Sequence, residues 1–361
     1  MTHTTPNMTA HTLGAIGTHI DAMLQQRVPA FTITYLEKKR ITDPAALVSQ
    51  FLHGATDPHF HAISQYQIGT TVYANKTVLA IEIDYLENNS QLSYVNHMTH
   101  QIIHDITDST MHQQQKLLAI HDWITTNIRY DHTLQRRTAF DALNTQSTVC
   151  SGYASLYWHM SHAIGIPCRI ITGTGKFEAH AWNMVQLDQY WYHVDSTWSI
   201  VADTNTPFSM YRFYLLTDKE IQHTHNVTLL AGQKPFPQAQ VQYRKHLHLL
   251  GRSSPRQSSM VQAILHKTGL IYLEPEHTVV GIVQLNTRMY QALHKQQTRV
   301  IFGYRGAMVS AQHDVREVLN DLNTQQRYAC TITITLYPMP HGFVDDGMLV
   351  DMQMSYAQKS T

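Results

Sequence analysis

A thiol, an imidazole and a carboxylate stand in order near the middle of this chain, at Cys150, His180 and Asp195. A cysteine nucleophile needs these three groups: a sulfur to attack, a base to take its proton, and an anion to orient the base. Cys150-Ser151-Gly152 is followed by apolar residues at Ala154, Tyr157, Met160 and Ile164, and the run stops at Gly165-Ile166-Pro167. Helical spacing closed by Gly and Pro predicts a helix with the thiol at or near its N-terminus. Unpaired N–H groups and the helix dipole there favour thiolate over thiol. His180 lies in the strand-like run Ala179–Val185, after Gly173 and Gly175. Leu187-Asp188-Gln189-Tyr190 reads as a turn into Trp191–Val194. Two antiparallel strands of this kind can set His180 beside Asp195, with one ring nitrogen on the carboxylate and the other facing sulfur.

Each residue also has an ordinary reading. A lone cysteine is usually a small packing residue, and Asp-Ser-Thr is common turn chemistry. Cys168 begins an apolar strand with no helix start or base nearby, and Cys330 lies on the apolar face of an alternating strand, so both read as structural. Asp188 reads as a turn residue, and His121, His159, His162 and His193 lack the setting of a base.

The elements that must position these groups follow from periodicity. Thr110–Asp131 reads as one amphipathic helix with Leu117, Ile120, Ile124 and Ile128 on a single face. Before it, a helix over Leu13–Gln26, a strand at Phe31–Tyr35, a helix opened by Asp43-Pro44, and strands at Tyr66–Tyr73 and Thr77–Tyr85 are expected. The C-terminal region gives the same order: helix Leu285–His294, strand Arg299–Tyr304, helix Asp314–Leu322, strands Tyr328–Tyr337 and Met348–Tyr356. Pro, Gly, Gln and Ser in residues 231–258 read as a linker.

Thr148-Val149-Cys150-Ser151-Gly152, His180-Ala181-Trp182-Asn183 and Val194-Asp195-Ser196-Thr197-Trp198 resemble the transglutaminase-like superfamily of cysteine acyltransferases and hydrolases. Lys116–Ile124 with Ile128-Arg129-Tyr130-Asp131 resembles the helix that precedes the core in bacterial members. Phe213–Asp218, running on to His225, resembles the packing segment after it. The resemblance implies Cys150, His180 and Asp195 as the catalytic triad, with no cofactor and no metal. It also implies an α+β fold with a papain-like core: a Cys-bearing helix on an antiparallel sheet carrying His and Asp. Two small α+β modules flank that core, giving segments 1–100, 101–235, 236–258 (linker) and 259–361. Thr148 stands where relatives often have Gly, and Gln189 where the turn often reads Asp-Gly. No calcium-binding loop is evident.

Composition narrows the partners. Lys+Arg and Asp+Glu are equal at 26 each, so there is no electrostatic footprint for nucleic acid or an anionic membrane. The 25 histidines, including His59/His61, His223/His225 and His246/His248, have no metal-ligand spacing and read mostly as polar surface. Three cysteines make no disulfide framework. No basic-then-apolar leader opens the chain and no run of about 18 apolar residues occurs, so a cytoplasmic location is expected, or a secreted one if a leader has been removed. The expected activity is acyl transfer or hydrolysis on protein or peptide amides through a Cys150 thioester. The alternatives are an idle binding or scaffold protein and an acyltransferase for a small thioester or sugar. Substrate identity and oligomeric state are left open.

Overall fold

The structure is a computed structural model that describes residues 5–36, 40–55, 58–176, 178–201, 208–325, 330–338 and 347–356. The chain divides into two compact units: Met1–Val201 with Thr224–Gln238, and Ala202–His223 with Ala239–Thr361. Its class is α+β, as the periodicities imply.

The first unit opens with β1 (Asn7–Ala10), α1 (Leu13–Gln25), β2 (Ala30–Leu36), α2 (Pro44–His53), β3 (Ile63–Val72) and β4 (Lys76–Tyr85). The sheet order is β1-β2-β4-β3, with β1 parallel to β2 and the other pairs antiparallel. Period-two alternation buries Phe31, Ile33 and Tyr35 of β2 and Leu79, Ile81 and Ile83 of β4 on one face. Ile16, Ile20 and Leu24 of α1, at helical spacing, close over them. Asp43 caps α2 by accepting the Ala46 N–H at 2.9 Å.

Next come α3 (Asn89–Ile106), α4 (Gln113–Asn127), β5 (Arg129–Tyr130), α5 (Ala139–Thr145), β6 (Ser147–Thr148) and α6 (Cys150–Ala163). The sequence reading missed α3, although Asn88 and Gln91 form a capping box at its start. The single helix expected over Thr110–Asp131 is shorter. Asp108 accepts the Thr110 and Met111 N–H groups in a turn, and His112 caps α4. At the other end Ile128 is extended, and β5 pairs in parallel with β6. Leu117, Ile120 and Ile124 are nonetheless fully buried on the expected face. Truncating any of them to Ala costs about 2–5 kcal/mol.

Then follow β7 (Cys168–Gly175), β8 (Glu178–Leu187), β9 (Tyr190–Val194) and α7 (Ser196–Val201). The second unit contributes β10 (Tyr214–Leu216) and α8 (Asp218–Ile221) before the chain returns with β11 (His225–Val227). Within the first unit the strands run β9-β8-β7-β11, each pair antiparallel. Helix α6 packs on β7 and β8, and Ala154, Ile170 and Ala181 are buried between them.

The second unit continues with α9 (Tyr243–Gly251), α10 (Pro255–Thr268), β12 (Thr278–Val280), α11 (Gly281–His294), β13 (Arg299–Arg305), α12 (Met308–Gln325), β14 (Cys330–Pro338) and β15 (Gly347–Tyr356). Residues 236–258 were read as a linker, yet they hold α9, whose Tyr243 and Leu247 are fully buried. The last sheet runs β12-β13-β15-β14, with β12 parallel to β13 and the rest antiparallel. This is the strand order of the first sheet, helix for helix. Residues 328 and 329 of the expected strand Tyr328–Tyr337 lie outside the described residues.

Candidate active site

Cys150 is the first residue of α6, and its position is set by the loop before α5. Asp131 is buried and accepts the Thr133, Gln135 and Arg136 N–H groups at 3.1, 3.0 and 2.8 Å and the Thr133 hydroxyl at 2.7 Å. The Thr133 hydroxyl, then the Arg136 N–H, hold its pKa down at about 2 despite burial. The loop so fixed presents carbonyls to the start of α6. Arg136 C=O accepts the Val149 N–H at 2.9 Å and the Thr148 hydroxyl at 3.0 Å, and Arg137 C=O accepts the Ser151 hydroxyl at 2.8 Å. Thr148, unusual for the resembled family, thus ties the loop down. The close approach also explains Gly152: a Cβ there would lie 1.9 Å from Thr148 Oγ1. The Gly152 and Tyr153 N–H groups turn back to Val149 C=O, whereas those of Cys150 and Ser151 have no acceptor among the described residues. Cys150 is half-buried, and Tyr130 is close enough to feel its charge. Burial first, then the influence of Cys150, Glu178 and Asp131, pushes the Tyr130 phenol up.

His180 lies on β8 opposite Gly173 of β7, and Asp195 directly follows β9. The structure brings the two together as the hairpin requires: His180 Nε2 is 2.8 Å from Asp195 Oδ2, with side chains 7% and 0% exposed. Nδ1 is left clear of the carboxylate, and Cys150 is close enough to act on the ring. Burial disfavours the imidazolium. The Asp195 charge and hydrogen bond, with those of Cys150, outweigh it and hold the pKa up at about 10. Asp195 itself is held below the usual carboxylate range: burial alone would raise it, but His180 and then His225 more than compensate. Its other oxygen, Oδ1, accepts the Trp198 N–H at 3.1 Å, so the carboxylate also caps α7. The rings of Trp182 and Trp198 stand 6.0 and 5.4 Å from the His180 ring. Gly175 makes room for Trp198, since a Cβ there would meet the indole at 2.6 Å.

His225 is the residue the sequence reading missed. It had been taken with His223 as polar surface, yet its side chain is 0% exposed and its Nε2 lies 3.0 Å from the same Asp195 oxygen. His121, His159, His193 and His246 are buried as well, against the expectation that most histidines lie on the surface. His193 accepts the Trp182 indole N–H at 3.0 Å, and burial, with the charges of Arg27 and His162, pushes His159 down to about 4. Asp188 sits at φ 54° in the β8–β9 turn, the role expected of it. Cys168 is buried in β7, and burial raises the thiol pKa of Cys330.

His180, Asp195 and His225 also form a cluster among the described residues whose ligand atoms, all within 4.8 Å of one another, could hold a metal ion. Both Nε2 atoms donate to the carboxylate instead. A metal there would replace the two Nε2 protons. No described helix is long and apolar enough to cross a membrane.

A thiol at a helix start, an imidazole on a strand and a carboxylate just after the next strand stand together on an α+β core. Residues 100–196 match the family described as the transglutaminase-like superfamily. The kyphoscoliosis peptidases of Mus musculus and Homo sapiens are each 34% identical to this chain over 140 residues, 32% of this chain and 21% of theirs. The chain therefore spans about a fifth of those curated relatives. A solved TGase structure is similar at 13% identity over 53% of this chain and 59% of that one, with a TM-score of 0.27.

Proposed function

We propose that the protein is a cysteine-dependent acyltransferase or hydrolase acting on protein or peptide amides, with Cys150 as nucleophile, His180 as acid–base and Asp195 as its partner. One observation supports this above the rest: the buried His180 ring is held 2.8 Å from Asp195 by Nε2, leaving Nδ1 for Cys150 at the start of α6.

The Cys150 thiolate attacks the carbonyl carbon of a Gln carboxamide or peptide bond, and the C=O electrons move onto oxygen. The N–H groups of Cys150 and Ser151 point from the start of α6, where that oxyanion forms. Collapse breaks the C–N bond, and the departing ammonia or amine takes the proton from His180 Nδ1, leaving a thioester. A primary amine or water then gives its proton to Nδ1 and attacks the thioester, and the sulfur leaves as thiolate. An amine acceptor yields a cross-link; water yields deamidation or proteolysis. Asp195 keeps its charge throughout and stabilises the imidazolium.

The test is incubation with a Gln-containing peptide and a labelled primary amine, read by mass spectrometry. Amine incorporation identifies transfer, a gain of about one mass unit deamidation, and fragments proteolysis. Cys150→Ala is expected to abolish whichever product forms while leaving Tm unchanged. Undiminished product from Cys150→Ala sinks the mechanism. A wild-type protein with no product, whose Cys150 alkylates no faster than Cys168 and Cys330, leaves a binding or scaffold protein instead.

A further inference from the structure

His225 lies thirty positions beyond Asp195, on a strand of three residues, and is buried against it. Pairing of β11 with β7 places His225 opposite Gly175, two residues along β7 from the Gly173 that faces His180. The His225 ring is packed by Trp198 at 4.4 Å and by the edge of Trp182 at 4.9 Å, the two indoles that also flank His180. Its bond to Asp195 places one of its protons. A carboxylate oxygen at 3.0 Å from Nε2 requires a proton on that nitrogen. On the other side Nδ1 is 2.8 Å from the Thr224 hydroxyl, which can donate to it. The ring can therefore serve Asp195 as a neutral donor.

Both imidazoles use Oδ2, and Oδ1 is taken by the Trp198 N–H. A carboxylate held at both oxygens has one orientation. If it turned from His180 it would also break with His225, leaving a polar group unpaired in a dry site.

We infer that His225 is a positioning residue for acyl transfer, its ring fixing the Asp195 carboxylate so that Oδ2 stays on His180. This rests on the reading of Cys150, His180 and Asp195 as the reacting set. The charged or titratable groups around the ring are Asp195 and His180, His193 behind the Trp182 indole, and Lys176, whose ammonium lies 5.3 Å over Trp198. His225 touches no substrate atom, so its effect should fall on turnover and its pH dependence, with affinity unchanged.

The experiment compares full-length wild type with His225→Phe, which keeps a ring between the indoles but has no donor, and His225→Gln, whose amide can reach the place of Nε2. The readouts are kcat, KM, the pH profile of kcat and Tm, with the Gln peptide and labelled amine as substrates. For His225→Phe, kcat is expected to fall roughly tenfold to hundredfold, a part of the 10²–10⁴ that positioned proton transfer contributes. KM stays within about twofold, and the alkaline limb of kcat moves to lower pH because Asp195 no longer holds the His180 proton in place. His225→Gln recovers most of kcat and the wild-type limb. A folded His225→Phe protein with kcat within about twofold of wild type overturns the inference, as does a loss that Gln does not recover. If His225→Phe does not fold, His225→Asn, whose shorter amide cannot reach Oδ2, is read by the same criteria. Loss of wild-type activity on dialysis against a chelator, restored by Zn²⁺, overturns it in favour of a metal at this cluster. The two readings fail separately. An active Cys150→Ala protein removes the reacting set, whereas an inactive Cys150→Ala with unaffected His225→Phe removes only the role of His225.

Discussion

Two buried carboxylates hold this site, one on the sulfur side and one on the base side, and they are satisfied in different ways. Asp131 is surrounded by three backbone N–H groups and a hydroxyl, with the Arg136 guanidinium at 3.4 Å. Asp195 receives one backbone N–H and two imidazole N–H groups. A backbone amide cannot give up its proton at any working pH, so Asp131 is a fixed anchor for the loop that seats Cys150. An imidazole can, so the charge of Asp195 is linked to the proton on His180. Cys150 is located by permanent hydrogen bonds, and His180 by bonds that can exchange their protons.

The largest effect that would separate the two regions is on turnover. Asp195→Ala removes the anion that stabilises the imidazolium and leaves two buried rings unpaired, and kcat is expected to fall by at least about 10³. Asp131→Asn should instead act on architecture. Its amide N–H₂ faces donors in a pocket built for acceptors, so Tm drops, and alkylation of Cys150 by iodoacetamide, measured per cysteine, slows toward that of Cys168. The contrast breaks if Asp131→Asn costs as much kcat as Asp195→Ala at unchanged Tm.

How much of this was legible in the sequence follows from how local each piece is. Cys150 could be placed because helix spacing, Gly152 and the Gly165-Ile166-Pro167 stop lie within one element. His180 and Asp195 could be paired because one hairpin carries both. His225 could not: its contact with Asp195 depends on β11 pairing with β7, an event between distant segments that leaves no periodic signal in three residues. The His223/His225 alternation was the sole hint, and alternation is equally that of a surface strand. The β1 and β12 strands were missed for the same reason, since four and three residues are too few to show a period. α3 was readable in principle from the Asn88…Gln91 box and the buried positions Val95, Thr99, Ile102 and Ile103. α9 was hidden because composition was weighed over a wide window. Tyr243, His246 and Leu247 keep helical spacing inside a Pro- and Gln-rich stretch. Asp131 belonged to the recognised motif, but its role depends on a turn that only the folded loop displays.

The smallest effect is on stability against pH, and its sign follows from the shifts. His180 has a folded pKa near 10, above its ordinary 6.5. Its contribution is fully present below pH 6.5 and is lost as pH rises from there through about 10, on the order of 4 kcal/mol in all. Asp131, held at about 2 instead of 3.8, contributes above pH 3.8 and loses that contribution as pH falls toward 2. Of the two carboxylates, only Asp195, through His180, bears on the decline above pH 6.5. Urea midpoints measured from pH 6.5 to 10 should decline in wild type and in Asp131→Asn with the same slope, and stay nearly flat in His180→Gln. A His180→Gln protein that keeps the decline, or an Asp131→Asn protein that loses it, would show that the two carboxylates are not separate devices.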